Sequence, residues 1–70
     1  MAVTPEQGLD MEALEGMVDR HGLTQVLCML CEICSEKAEH LRANWQDKAN
    51  AKHWDKDGII IERAAARVNN

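Results

Sequence analysis

Aromatic residues are nearly absent from this chain. Its 70 residues include two Trp but no Phe or Tyr, and there is only one Pro. Strands are built mainly from β-branched and aromatic residues, so this chain has few residues that favour a β-sheet. Ala, Leu, Glu, Lys, Met and Arg dominate instead, and these residues favour helices. The composition therefore predicts an all-α protein, and the length allows a single small helical domain over residues 1–70.

The chain also lacks an excess of positive charge and any long apolar run. Its net charge is −4, which argues against a nucleic-acid partner because such binding needs Lys and Arg to replace phosphate counterions. No apolar stretch approaches the roughly 20 residues of a membrane span, and the first residues lack the basic and apolar regions of a signal peptide. We expect a cytoplasmic protein with no membrane partner, whose cysteines are free thiols.

Apolar residues recur at intervals of three and four, which predicts three helices. The first spans about 5–21 if Thr4 caps it, or 11–21 if Asp10 does, and Gly22 ends it in either case. Thr24 then caps or opens a second helix over about 24–45.

Gln46 and Asp47 provide the next break, and Asp47 is a suitable cap for a third helix over about 48–67. The apolar spacing continues through Gly58, so we place this glycine inside the helix, where it approaches a neighbouring backbone. The alternative is a turn at Asp57-Gly58. Lys48, Lys52 and Lys56 alternate with acidic residues, which indicates a solvated face and no basic patch.

The predicted architecture is a short first helix followed by a long antiparallel helical hairpin. The apolar arc of the second helix is broad near its start, wider than one neighbouring helix can cover. We therefore expect a homodimer that forms a helical bundle, or a protein partner in its place. The two Trp residues would close the open end of the hairpin as core residues, or anchor an interface. The candidate interface residues are Val26, Met29, Ile33, Trp45, Trp54 and Ile61.

The motif that most resembles a metal or redox site consists of Cys28, Cys31 and Cys34. Such spacing occurs in zinc and iron–sulfur sites, where a loop wraps the thiolates around one metal. On a continuous helix, however, each cysteine points about 60° away from the next, and Cys28 and Cys34 lie about 9 Å apart along the axis. The three thiols therefore cannot converge on one ion. We interpret Cys34 as a core residue, Cys31 as a boundary residue and Cys28 as exposed. A metal- or redox-responsive role of these cysteines with His40 remains the alternative hypothesis.

Catalytic signatures are missing. Ser35 is the only serine, it lies within a helix, and no Gly-rich loop could form an oxyanion hole or a substrate cleft. We expect no enzymatic activity and no cofactor. Residues 18–23, 33–40 and 44–47, with Trp54, resemble stretches of short bacterial proteins, and this resemblance implies a small helical protein without transferring any site. The expected function is a non-enzymatic interaction or regulatory module.

Overall fold

A computed structural model of the chain describes residues 5–70 and places most of them in three α-helices. These are α1 (Pro5–His21), α2 (Leu23–His40) and α3 (Lys48–Ala65). The all-α prediction with three helices is confirmed. Because α1 starts at Pro5, the longer alternative is right, and the expectation of a short first helix is wrong: α1 has 17 residues against 18 in α2 and in α3. The proposed cap Thr4 lies outside the described residues.

One residue, Gly22, connects α1 to α2. Its φ of 85° lies in the left-handed region, its N–H donates to the carbonyl of Val18 at 2.8 Å, and its carbonyl accepts from the N–H of Val26 at 3.2 Å. Gly22 therefore ends α1 as predicted, and it also occupies the capping position of α2. Thr24 is not the cap, since α2 already begins at Leu23 and has no side-chain cap.

The connection from α2 to α3 starts with a π-helical segment, Leu41–Trp45. Gln46 then takes a left-handed conformation at φ 51°, and the N–H of Asp47 donates to the carbonyl of Leu41 at 3.0 Å. Asp47 caps α3 as predicted, because its Oδ1 accepts from the N–H of Asn50 at 3.1 Å. The break at Gln46 and Asp47 reverses the chain direction, so α3 returns along α2.

Helices α2 and α3 pack extensively against each other as a hairpin. The buried side chains on the two helices are Val26 and four small ones, Cys34, Ala38, Ala51 and Ala65. Helix α3 is continuous through Gly58, so the alternative turn at Asp57-Gly58 is wrong. The helix ends at Ala65, two residues earlier than predicted. Small residues along the hairpin contact bring the two backbones close together.

Helix α1 contacts α2 but not α3 in the described part of the chain. Gly16, Met17 and Val18, near the junction with α2, are half-buried, whereas every residue from 9 to 15 is exposed. Residues 9–15 of α1 therefore stay largely exposed to solvent in the described part of the chain.

Candidate functional site

Large apolar side chains are exposed on all three helices and on the π-helical segment. Trp45 is 70% exposed, Leu9 67% and Ile60 62%. The others are Met11, Leu14, Leu30, Ile33 and Ile59. No large side chain among the described residues is fully buried. Burial of such side chains is the main source of folding free energy, and a single chain gains it only in part.

The accessible surface is correspondingly large. It amounts to 5891 Å², whereas a compact monomer of 7.9 kDa exposes about 4400 Å². The radius of gyration is 14.4 Å, against about 11 Å for a compact domain of this length. One chain alone therefore leaves more surface in contact with water than a compact domain does.

The six predicted interface residues differ in exposure. Val26 is only 5% exposed, so its own chain already covers it. Ile33 is 45% exposed and Trp45 is 70% exposed. The remaining three, Met29, Trp54 and Ile61, are half-buried. Ile33 and Trp45 thus have the most surface left for a partner to cover.

Trp45 does not close the hairpin, so its expected role as a core residue is wrong. Its indole Nε1–H donates to Nε2 of His40 at 3.1 Å, and Nδ1 of His40 lies 2.9 Å from the side-chain amide of Asn44. An imidazole that accepts at Nε2 carries its proton on Nδ1. The Asn44 atom at 2.9 Å is Nδ2, so the second contact is a hydrogen bond only with the amide turned to present Oδ1 to that proton. The wide π-helical turn displaces Trp45 from the angle it would have on a continuous α-helix.

The three cysteines have the exposures that the helix pattern predicted: Cys28 is exposed, Cys31 half-buried and Cys34 buried. Cys31 Sγ–H donates to the carbonyl of Gly58 across the hairpin at 3.5 Å. Burial raises the pKa of the Cys31 thiol, and the nearby Cys28 and Glu62 raise it further. Both effects disfavour the thiolate, which is the reactive and metal-binding form.

A metal centre would need several of these ligands around one point. Among residues 5–70, no three His, Cys, Asp or Glu side chains lie close enough together to share an ion. The two ring nitrogens of His40 lie within hydrogen-bonding distance of Trp45 and Asn44.

The outer face of α3 is more basic than the sequence interpretation allowed. Asp55 pairs with Arg42 at 2.7 Å, so its charge is compensated by the π-helical segment. Asp47 is occupied as the cap of α3. The exposed cations of α3 are Lys48, Lys52, Lys56 and Arg63, and Arg67 follows the helix end; the other exposed acidic residues of α3 are Asp57 and Glu62. The cations' spacing of four or seven residues, which keeps them on one side of a helix, was the available signal in the sequence.

No protein-family model, curated protein or solved structure is significantly similar to this chain. None of the helices in the described part of the chain combines the length and the apolarity needed to cross a bilayer.

Proposed function

We propose that this chain is a non-enzymatic interaction module that works as a homodimer and regulates or links other components through its helical surfaces. The proposal rests on the sizes of the apolar side chains that are buried in the core and of those that are exposed on the surface. Among residues 5–70, the buried apolar side chains are Val26, Cys34, Ala38, Ala51 and Ala65, whereas eight larger ones are exposed. An isolated chain of this size has marginal stability even with a well-formed core, and self-association is a usual remedy.

The surface area supports a dimer. The accessible surface of one chain is 5891 Å². A compact particle of twice the mass is expected to expose roughly 7300 Å², so two separate chains expose about 4500 Å² more than such a particle. Obligate homodimers bury about 2000–5000 Å² in total. A second copy can therefore cover the excess surface with an interface of ordinary size for such dimers.

The metal- or redox-responsive alternative has less support. It would require Cys28, Cys31 and Cys34 to act together, yet they differ in exposure along one helix. Bringing them to one ion would require unwinding α2 where Cys31 and Cys34 lie against Gly58 of α3.

Sedimentation equilibrium of the full chain tests the proposal. We expect a mass twice that of the 7.9 kDa chain across the micromolar range, with a helical circular dichroism spectrum. A folded species with the mass of one chain throughout that range would overturn the homodimer.

A pair of α2 variants examines one candidate interface residue. Ile33→Glu places a charge on exposed apolar surface, and we expect it to shift the equilibrium toward monomer. Gln25→Glu adds the same charge at an exposed polar position of the same helix and should leave the mass unchanged. An Ile33→Glu variant as dimeric as the wild type would remove Ile33 from the interface.

A further inference from the structure

We infer that α1 of one copy docks on the outer face of α3 of a second copy, so that two chains exchange their first helices. This inference rests on the proposed homodimer and specifies its interface. Two surfaces carry it, the α1 stripe (Asp10, Met11, Leu14 and Glu15) and the α3 stripe (Lys56, Ile59, Ile60 and Arg63).

The α1 stripe is apolar in the middle and acidic at its ends. Met11 and Leu14 lie three residues apart, on one face of the helix, and are 56% and 41% exposed. Asp10 and Glu15 flank them along the axis, and both are exposed. Helix α1 as a whole carries five carboxylates and a single arginine. Two α1 helices would therefore repel each other, and the stripe requires a basic apolar surface.

The α3 stripe provides the complementary pattern. Ile59 and Ile60 are 48% and 62% exposed, and they lie between Lys56 and Arg63 along the axis. At about 100° per residue these four side chains share one face. That face is turned away from the α2-facing residues of α3, among them Ala51. In both stripes, two apolar side chains are thus bounded by two charges, and the charges have opposite signs.

The occupant of the α3 stripe is a second copy because the chain's own α1 does not reach it. Helix α1 makes no contact with α3 in the described residues. Its direction is set by Gly22, whose backbone has a φ of 85° and lies against the backbone of Asn70. With a one-residue connection of this kind, α1 extends away from its own hairpin and leaves the α1 stripe free for another molecule.

Charge reversal followed by mixing tests the exchange. One variant carries Asp10→Lys and Glu15→Lys, and the other carries Lys56→Glu and Arg63→Glu. Each variant alone should dimerise about tenfold more weakly or worse, since like charges then face each other at two contacts in every dimer. In an equimolar mixture both contacts pair opposite charges, so a heterodimer of wild-type affinity should form. A chain with all four reversals should dimerise by itself, which shows that the substitutions permit folding.

A matched control reverses two exposed carboxylates on α2, with Glu32→Lys and Glu36→Lys. This variant has the same change in net charge as the α1 variant and should keep wild-type affinity. If the α1 and α3 variants dimerise as tightly as the wild type, the exchange is overturned while the homodimer stands. If the quadruple variant recovers dimerisation but the mixture does not, the two stripes pair within one chain, and the exchange is again wrong. A wild-type chain that stays monomeric would overturn both proposals.

Discussion

A methyl group added to Gly58 would lie 3.3 Å from the Cβ of Cys34. This distance shows how closely α3 approaches α2 at the middle of the hairpin. The same approach lets the Cys31 thiol donate to the Gly58 carbonyl at 3.5 Å. The hairpin contact thus depends on the missing side chain at position 58.

Replacing Gly58 with Leu should destabilise the protein by about 2 kcal/mol, because overpacking a close contact costs about 1–3 kcal/mol. Leu is a much better helix former than Gly, so helix propensity cannot explain a loss. Urea unfolding at a fixed chain concentration measures the effect. The control is Gly8→Leu, because a Cβ there meets nothing within 4 Å. Equal or higher stability of Gly58→Leu would show that the helices do not approach as described.

Gly22→Ala should also destabilise the protein, for a different reason. At φ 85° and ψ 157° a residue with a Cβ is strained by about 1–3 kcal/mol, and the new methyl would lie 2.6 Å from the backbone oxygen of Asn70. The matched control is Gly16→Ala within α1, where the nearest contact would be an ordinary 3.7 Å. It should stabilise the helix by up to about 1 kcal/mol. Thermal unfolding of both variants should give shifts of opposite sign, and a gain from Gly22→Ala would contradict the backbone assignment.

Helix boundaries and helix faces could be predicted because they depend on local chemistry. Gly22 and Asp47 have the residue types that end and begin helices, and the 3.6-residue period distinguishes buried Cys34 from exposed Cys28. The continuity of α3 followed from the same period, since Gly58 falls on the contact side.

The position of Trp45 and the direction of α1 could not be predicted in this way. Trp45 depends on a π-helical turn, which has no reliable residue signature. The direction of α1 depends on the backbone angles of one residue, Gly22. The basic face of α3 was missed because the partner of Asp55, Arg42, comes from the preceding segment and is 13 residues distant in sequence.

Replacing His40 with Ala should change the environment of the Trp45 indole and leave Trp54 unaffected. The exposed bond from Trp45 Nε1–H to His40 Nε2 is then lost, so the indole N–H resonance of Trp45 should move in an amide correlation spectrum. His53→Ala is the control, since His53 is exposed and has no such bond described. An unshifted Trp45 resonance in His40→Ala would refute the contact.

The three thiols should react in the order of their exposure. A maleimide at neutral pH should modify Cys28 first, then Cys31, and Cys34 only after unfolding, because Cys34 is 5% exposed. Mass spectrometry of peptides from partly labelled protein gives the order directly. Single Cys→Ala variants at each position serve as controls for the assignment. Rapid labelling of Cys34 in the folded protein would contradict the described hairpin contact.

The raised pKa of Cys31 adds a dependence of stability on pH. Folding favours the protonated thiol, mainly by burial and further by the nearby Cys28 and Glu62. The stabilising contribution is therefore complete below the ordinary thiol pKa of 9.0 and is lost as pH rises through the higher folded value. Between neutral and strongly alkaline pH, the free energy of unfolding should fall more steeply for the wild type than for Cys31→Ala. Ser35→Ala, which removes an exposed hydroxyl from the same helix, should retain the wild-type slope. Identical slopes in the wild type and Cys31→Ala would show that the Cys31 thiol is not held in its protonated form by the fold.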